Sequence, residues 1–236
     1  RMTAQAEKFG AERVSDTIKE VSLEGDVKVL KGEKGEYQAK NIIIATGAHA
    51  RPIGCKGEAE FLGRGVSYCA VCDGPFFKEK TAAVVGGGSA ALQDALYLAG
   101  ICSKVYLIHR RDTFRAEKSL IDQVMAAENI ECVMESRVTA LIGEKKLTEL
   151  EVTNLSGEKK TLVADGLFVA IGMEPHNEVF RDLVDLDEAG YVIAGENCKT
   201  RTPGVYAAGD CRTKTVRQLT TAAADGTVCG LVCKAV

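Results

Sequence analysis

The sequence predicts an α/β fold made of two related three-layer units, the outer of which is discontinuous along the chain. Strands alternate with helices through the middle of the chain, and this order favours a mainly parallel sheet with βαβ crossovers. A glycine-rich turn at 85–91 joins a strand to a helix. A continuous apolar run that ends in small residues occurs twice, at 41–48 and at 166–173, which indicates two related units.

The composition is typical of a soluble globular protein with one large or two ordinary domains. The chain has 236 residues, of which 46% are hydrophobic and 27% are charged. Its net charge of −3 provides no general basic surface, so we expect no nucleic-acid partner. No apolar run is long enough to cross a membrane, and residues 1–13 are polar, so neither a membrane span nor a signal peptide is predicted.

The cysteine content favours a reducing compartment. Of nine cysteines, seven are scattered without the spacing of metal ligands. Cys229 and Cys233 stand four positions apart, and packing within a helix explains them better than a metal site does. We therefore expect one functional cysteine pair, no bound metal and a cytoplasmic location rather than a secreted disulfide framework.

The outer unit begins with short alternating runs. Residues 27–30 and 36–39 are predicted to be strands joined by a turn at 32–35. The run at 41–48 does not alternate but has consecutive apolar residues, which is typical of a parallel strand covered on both faces. Its final small residues leave room for a close approach by another group.

The inner unit contains a complete alternation of strands and helices. Its predicted strands lie at 81–85, 105–108, 137–142, 147–154 and 160–171, and its predicted helices lie at 90–99 and 117–128. The apolar spacing predicts that the helices bury Ala91, Leu92, Ala95, Leu96 and Ala99 in the first and Leu120, Ile121, Val124 and Met125 in the second.

Two prolines mark the junctions between the units. Pro52 and Pro175 each follow one of the two apolar runs. The sequence therefore predicts an inner domain at 50–173 and an outer domain formed by 1–49 together with 174–236.

The outer domain is predicted to be incomplete. In the inner unit, Gly88 of the glycine turn precedes Gly172 at the strand end by 84 positions. The same count back from Gly47 ends roughly forty residues before Arg1. We therefore expect the first βαβ element of the outer domain to be missing from this chain.

The glycine-rich turn has the context of a Rossmann-like dinucleotide-binding fingerprint. Gly86-x-Gly88-x-x-Ala91 follows a predicted strand and opens a helix. Glycines allow a tight turn and a close approach of pyrophosphate, and the helix N-terminus supplies free N–H groups. The alternative is a purely structural turn. The candidate cofactor-binding residues here are Gly86, Gly87, Gly88, Ser89 and Ala90.

The end of the next strand indicates which nucleotide binds. NAD sites usually carry an acidic residue about 20 positions after the glycines. Here the strand leads instead into His109, Arg110 and Arg111, with Arg115 shortly after. Guanidinium groups match phosphate geometry, so this cluster predicts a site for the 2′-phosphate of NADPH. A solvated basic turn is the alternative.

A second nucleotide-type site is predicted near the end of the chain. A strand ends in Gly209 and Asp210, and a helix is predicted to begin near Arg217, Gln218 and Leu219. An acid after such a strand can bond sugar or polyol hydroxyls, while a helix N-terminus can hold an electron-rich ring edge. The alternative is an acidic residue on the surface with no ligand.

The first part of the inner domain carries a candidate redox pair. Cys69 and Cys72 form a Cys-x-x-Cys motif that Asp73 follows at once. Two cysteines at this spacing can close a small ring and cycle between dithiol and disulfide. Their closeness to the nucleotide turn suggests electron transfer from a hydride carrier to a disulfide.

Together these motifs resemble the low-molecular-weight, bacterial-type NADPH-dependent thioredoxin reductases, which are FAD-containing pyridine nucleotide-disulfide oxidoreductases. The resemblance runs in the family's order across nearly the whole chain. Its most specific part is the Cys-x-x-Cys-Asp-Gly motif inside the nucleotide domain. The matching motifs lie at 44–48, 69–74, 85–91, 109–118, 204–210 and 217–218.

The resemblance implies roles for individual residues. FAD would be the second cofactor, Cys72 would lie next to its flavin, Cys69 would exchange with a thioredoxin or thioredoxin-like disulfide, and Asp73 would act as acid and base. The resemblance also implies a homodimer and a rotation of the two domains about their junctions. The flavin-side residues would be Thr46, Gly47, Gly209, Asp210, Arg217, Gln218 and Leu219.

The chain departs from the family pattern in its nucleotide turn. Ser89 and Ala90 stand where the family usually has Asp or Asn followed by Ser or Thr, and Gln93 stands where it has a glutamate. Two other functions stay open. The chain could be an NADPH-binding remnant without FAD or activity, or a related flavoprotein that reduces another disulfide or peroxidase partner.

Overall fold

The computed structural model describes residues 2–234, which form two compact units. The central unit is Ala50–Met173, and the described residues on either side of it form the other unit. Arg1, Ala235 and Val236 lie outside the described residues, and so do the outermost residues of the predicted segments 1–49 and 174–236.

The elements alternate most regularly in the central unit. The helices are α1 (Met2–Lys8), α2 (Glu58–Phe61), α3 (Ala70–Asp73), α4 (Ser89–Ala99), α5 (Lys118–Ala126) and α6 (Leu219–Lys234). The strands are β1 (Ile18–Glu24), β2 (Val27–Gly32), β3 (Glu36–Ala39), β4 (Ile42–Ile44), β5 (His49–Ala50), β6 (Val66–Ser67), β7 (Thr81–Val85), β8 (Lys104–Ile108), β9 (Ile130–Val133), β10 (Ser136–Gly143), β11 (Leu147–Asn154), β12 (Lys159–Val163), β13 (Gly166–Val169), β14 (Met173–Glu174) and β15 (Val205–Ala207).

The central unit has three layers around a parallel sheet. Its strand order is β6-β13-β7-β8-β9, and every neighbouring pair is parallel. Side chains alternate across β7, so that Ala83 packs with the antiparallel sheet β10-β11-β12 while Ala82 and Val84 pack with α4 and α5. The predicted α/β class is confirmed, and the strand at 81–85 lies where the sequence places it.

The predicted strand at 160–171 is wrong because the chain changes sheets within it. Lys159–Val163 forms the edge of the antiparallel sheet, and Gly166–Val169 forms a central strand of the parallel sheet. Asp165 fixes the crossing, since its N–H donates to the Thr81 carbonyl at 2.8 Å and its carboxylate accepts from the Thr81 N–H at 3.2 Å. No proline or glycine precedes this crossing from 160 to 165, so the sequence shows no break.

The two long helices of the central unit bury narrower stripes than predicted. In α4, Leu98 is fully buried, whereas Leu96 and Ala99 are half-buried. In α5, Val124 is buried but Met125 is 66% exposed, so its predicted inward position is wrong. The helix ends at Ala126, and its apolar stripe packs against α4 with Val124 as the innermost contact.

The other unit contains two small sheets that pack on an apolar core cluster. Strands β1, β2 and β3 form an antiparallel sheet, and β4 pairs in parallel with β15. The predicted strand at 41–48 is shorter in the structure, and Ile43 is 45% exposed, so β4 is not covered on both faces. The core cluster includes Ile42, Ile44, Leu183, Val192 and Val205.

Strands β5 and β14 pair with each other and carry the two crossings of the chain between the units. Among residues 2–234, no helix is long and apolar enough to cross a membrane.

Candidate functional site

Cys69 and Cys72 are joined in a disulfide directly after strand β6. Cys69 has an extended backbone and caps the short helix α3, and its Sγ accepts a hydrogen bond from the Cys72 N–H at 3.2 Å. The same N–H is placed to stabilise negative charge on the Cys69 sulfur when the pair is reduced. Cys69 is half-buried and Cys72 is exposed, so the ring can be reached by another molecule.

Asp73 is tied to the redox loop through a serine. The Ser67 hydroxyl donates to Asp73 Oδ2 at 2.6 Å and accepts from the Cys69 N–H at 3.0 Å. Ser67 was not identified from the sequence, where the only available signal is a serine two positions before the first cysteine.

A buried glutamate holds the residue that precedes Cys69. Glu58 accepts the Tyr68 hydroxyl at 2.9 Å and the backbone N–H groups of Ile53 and Gly54 at 3.0 and 2.7 Å. Burial, followed by the neighbouring Glu58 carboxylate, raises the pKa of Tyr68 to about 12. Tyr68 therefore remains a protonated donor and anchors the chain immediately before Cys69.

The predicted nucleotide residues line one cleft of about 600 Å³ in the central unit. The cleft opens where β7, β8 and β13 end, which is the edge at which parallel α/β sheets bind ligands. The structure brings together all nine predicted residues: Gly86, Gly87, Gly88, Ser89, Ala90, His109, Arg110, Arg111 and Arg115. The sequence did not identify Arg51, Ile53, Ser136, Arg137 and Val138, which also line it and come from other elements.

Glycine is required at two positions of the turn because a side chain there would overlap neighbouring atoms. A Cβ at Gly86 would lie 2.4 Å from the Ala170 carbonyl oxygen and 2.5 Å from Ala91 Cβ, and the backbone has φ +155°. A Cβ at Gly87 would lie 2.1 Å from the His109 ring. The backbone of the turn therefore packs closely against the residue that follows β13. The N-terminus of α4 is left open to the cleft.

Gly86→Ala is expected to lower the free energy of unfolding by about 2 kcal/mol or more, because the added methyl overlaps the Ala170 carbonyl. Gly88→Ala is the matched control, since a Cβ there would meet only the Arg115 carbonyl oxygen at 3.9 Å. Denaturant unfolding of both variants tests this. Equal stabilities for the two variants would contradict the packing account of the turn.

His109 forms part of the cleft wall and is not a cation. Its Nε2 lies 3.1 Å from the Thr113 carbonyl oxygen, and its ring stacks on Phe114 at 5.6 Å. Burial, assisted by the neighbouring arginines, lowers the pKa of His109. The positive charge at this edge therefore comes from Arg110, Arg111 and Arg115, and the backbone N–H of Arg115 donates to the Gly87 carbonyl at 2.6 Å.

The residues that depart from the family pattern lie at the start of α4. Ser89 and Ala90 line the cleft, whereas Gln93 points to solvent. Asp94 is half-buried in the next turn, and burial raises its pKa to about 6. This carboxyl group is therefore partly protonated near neutral pH.

In the other unit, two adjacent strand ends gather the remaining predicted residues. Strands β4 and β15 are parallel, so Thr46 and Gly47 leave the sheet beside Gly209 and Asp210. The Thr46 hydroxyl donates to the side chain of the fully buried Asn177 at 2.8 Å. Asn177 in turn donates to two backbone carbonyls, at 2.8 and 2.9 Å, and so holds the surrounding loops together.

Asp210 presents a buried oxygen without a partner. Among the side chains of residues 2–233, its Oδ1 is the single buried nitrogen or oxygen atom that makes no hydrogen bond. Burying such an atom is costly, so it is suited to a ligand hydroxyl. Arg217 lies beside it, with its Nε 3.3 Å from the Asp210 carbonyl oxygen and its guanidinium 3.9 Å above the Tyr191 ring.

Gln218 and Leu219 are exposed at the start of α6. The N–H of Gln218, just before the helix, donates to the Thr221 hydroxyl at 3.1 Å. The helix begins at Leu219, within the region predicted from the sequence.

A buried ion-pair network fixes the loop that carries Asp210. The Asp225 carboxylate accepts from Arg212 at 2.8 and 2.7 Å, from Lys214 at 2.8 Å and from the Gly209 N–H at 2.8 Å. The hydrogen-bonded Arg212 guanidinium, followed by Lys214, holds the pKa of Asp225 well below its usual range. The sequence did not identify this carboxylate, because its partners lie on a separate loop.

Asp225→Asn is expected to lower the free energy of unfolding by about 3–5 kcal/mol at neutral pH, because it leaves Arg212 and Lys214 buried without a counter-charge. Asp185→Asn is the control, since its pair with Arg201 is exposed and worth at most about 1 kcal/mol. Thermal unfolding measures both variants.

The same carboxylate gives stability a defined pH dependence. The pKa of Asp225 is lower in the folded than in the unfolded chain, so its contribution is present above the unfolded pKa and is lost as pH falls. The protein should therefore lose stability between about pH 5 and pH 2, and Asp225→Asn should flatten this part of the curve. An unchanged slope in the variant would contradict the assignment.

Within the part of the chain that the structure describes, no group of three His, Cys, Asp or Glu side chains could hold a metal ion. Cys229 is buried in α6, and burial raises its pKa to about 12.

Comparisons with known proteins agree on one family. A family model described as pyridine nucleotide-disulphide oxidoreductase matches residues 3–226. The chain is 45% identical over 235 residues to a thioredoxin reductase of Peptoclostridium acidaminophilum, covering 97% of this chain and 75% of that protein. It is 43% identical over 228 residues to a bifunctional thioredoxin reductase/thioredoxin of Mycobacterium leprae. This match covers 95% of this chain and 50% of that protein.

Solved structures give the same result. The chain superposes on the crystal structure of thioredoxin reductase from Streptococcus pyogenes with a TM-score of 0.93 at 38% identity, covering 99% of this chain and 77% of that one. It superposes on thioredoxin reductase from Giardia duodenalis with a TM-score of 0.91 at 36% identity, covering 99% of this chain and 78% of that one.

Proposed function

This chain belongs to the pyridine nucleotide-disulphide oxidoreductases, as a thioredoxin reductase, and from that membership we propose that it passes electrons from NADPH through FAD to the Cys69–Cys72 disulfide and on to thioredoxin. The observation that carries this proposal is the position of the disulfide. It lies in the same unit as the nucleotide cleft, directly after the strand at the edge of the same parallel sheet.

The nucleotide cleft favours NADPH. The flat glycine turn and the N-terminus of α4 suit a pyrophosphate, because backbone N–H groups there lack helical partners. Arg110, Arg111 and Arg115 lie at the end of the following strand, where a 2′-phosphate would sit. Among the described residues that line this cleft none is acidic, whereas an NAD site would place an acidic side chain on the ribose hydroxyls.

The family implies a flavin, and the residues of the other unit fit FAD. Asp210 offers a buried, unpartnered oxygen for a polyol hydroxyl, and the start of α6 offers free N–H groups for a ring edge. Thr46, Gly47 and Gly209 would border the cofactor, and the Asp225 network would hold Asp210 in place. When bound, the flavin would supply the redox chemistry that links hydride transfer from NADPH to reduction of the disulfide.

The chemistry of the cysteine pair is a thiol–disulfide exchange. Two electrons and a proton reduce the ring to the Cys69 thiolate and the Cys72 thiol. The Cys69 thiolate attacks one sulfur of the partner disulfide and forms a mixed disulfide, while the other partner sulfur leaves as a thiolate. The Asp73 carboxylate would take the proton of the Cys72 thiol and pass it to that leaving sulfur. Cys72, deprotonated, then attacks Cys69 Sγ, which restores the ring and releases the reduced partner.

A thioredoxin or thioredoxin-like protein is proposed as the partner. Val71 and Phe76 are 60% and 72% exposed beside the disulfide, which suits docking of another protein. A homodimer and a cytoplasmic location are also proposed. The seven other cysteines carry free thiols, which a reducing compartment would maintain.

NADPH oxidation by the purified protein supplied with FAD tests the proposal. The absorbance of NADPH should fall only when oxidised thioredoxin is present, and the thioredoxin should gain two thiols per NADPH consumed. NADPH binding without oxidation in the presence of thioredoxin and FAD would contradict the proposed function.

A further inference from the structure

The Ser67 hydroxyl lies between the two chemical groups of the redox loop. It is buried, with 6% of its surface exposed, at the end of strand β6. Its oxygen is 2.6 Å from Asp73 Oδ2, 3.0 Å from the Cys69 amide nitrogen and 3.4 Å from the Cys69 carbonyl oxygen. One side chain thus contacts both the proposed acid and the backbone of the proposed nucleophile.

The distances decide where the serine proton points. A hydroxyl has one proton to donate, and Asp73 Oδ2 is much nearer than the Cys69 carbonyl. A separation of 2.6 Å is in the range of a hydrogen bond from a hydroxyl to an ionised carboxylate. The N–H of Cys69 donates to the same oxygen, and this polarises the hydroxyl toward Asp73.

We propose that Ser67 is a positioning residue for thiol–disulfide exchange, which holds the Asp73 carboxyl in fixed relation to Cys69. This inference rests on the proposed function and assigns a role to a residue outside the Cys-x-x-Cys motif. In the exchange, the Cys69 sulfur bonds to one partner sulfur and the other leaves. Asp73 must then be within reach of the leaving sulfur to protonate it. Without Ser67, the Asp73 side chain is free to rotate away from the loop.

The test measures exchange without flavin or NADPH. The protein is reduced with dithiothreitol, desalted and mixed with oxidised thioredoxin, and the thiols are trapped by alkylation and quantified by mass spectrometry over time. Ser67→Ala should slow formation of reduced thioredoxin about tenfold or more, because a hydrogen bond to a charged group is lost. Ser67→Thr retains the hydroxyl and should restore most of the parent rate.

Two further variants separate positioning from a general structural effect. Ser103→Ala is the matched control, since its hydroxyl bonds the Lys80 carbonyl away from the redox loop, and it should exchange at the parent rate. In an Asp73→Ala background, Ser67→Ala should slow exchange by less than about twofold further, because residues that act through one another are not additive. Thermal unfolding of each variant verifies that it is folded.

The outcomes distinguish the inference from the function on which it rests. A parent protein that does not exchange with thioredoxin overturns the proposed function and this inference with it. A parent that exchanges normally, with Ser67→Ala at the same rate, overturns the inference alone. Equal slowing by Ser67→Ala in the parent and in the Asp73→Ala background also overturns it, because the serine would then act independently of the acid.

Discussion

Serine in place of either Cys69 or Cys72 is expected to reduce thioredoxin reduction to about a thousandth of the parent rate or less, while NADPH binding is unchanged. Each variant loses one of the two sulfurs that must accept and donate the electron pair. The nucleotide cleft is lined by other residues and retains all its contacts.

Steady-state thioredoxin reduction and a direct NADPH-binding titration measure the two effects separately. Cys55→Ser is the matched control in the same unit. Its thiol is half-buried, and burial, followed by the nearby Glu58 carboxylate, raises its pKa to about 11, so it is protonated and unreactive at neutral pH. Thioredoxin reduction at the parent rate by either the Cys69 or the Cys72 variant would show that the pair has been wrongly assigned.

Changing Arg110 and Arg111 together to glutamine is expected to raise the KM for NADPH about a hundredfold and to leave that for NADH nearly unchanged. Both guanidinium groups lie at the end of β8, facing the cleft where a 2′-phosphate would bind. Hydrogen bonds to a charged group contribute about 1.5–3 kcal/mol each, and partial exposure of these side chains reduces that value.

The comparison of the two nucleotides is the critical feature of this measurement. A damaged cleft would weaken the binding of NADPH and NADH equally, whereas loss of the contacts to the 2′-phosphate would weaken the binding of NADPH only. Arg64→Gln is the control, because that exposed side chain bonds the Glu60 carbonyl and lies outside the cleft. An equal loss for NADH and NADPH would contradict the role assigned to the two arginines.

The central unit was the most predictable part of the fold. The glycine turn, the strand before it and the helix after it carry their signals within one continuous segment, 81–99, so β7 and α4 lie close to their predicted bounds. The basic strand end follows directly, and the structure places it in the same cleft. Neighbouring residues on adjacent parallel strands reach the same edge of a sheet, which makes such a cleft predictable.

Contacts between distant parts of the chain were not predictable. The crossing at Asp165 depends on Thr81, 84 residues earlier, and the Thr46 hydroxyl depends on Asn177, 131 residues later. The same holds for Asp225, whose counter-charges lie on the loop after β15. Such polar partners are selected by the fold rather than by local sequence, so only the structure reveals them.

The Ser67 interaction differs from these cases because it is local in sequence. Its partners are two and six residues away, yet a serine near a strand end has many possible bonding partners. Only the turn of α3, which places Asp73 beside the end of β6, selects this one.

The electron path from NADPH to thioredoxin is tested most directly by the visible absorbance of the purified protein with FAD, measured without oxygen. Addition of two equivalents of NADPH should reduce the disulfide and bleach the flavin band, and oxidised thioredoxin should then restore the band in the parent protein but not in the Cys72→Ser variant. A colourless protein that binds NADPH, or a bleached flavin that thioredoxin does not restore in the parent, would contradict the path.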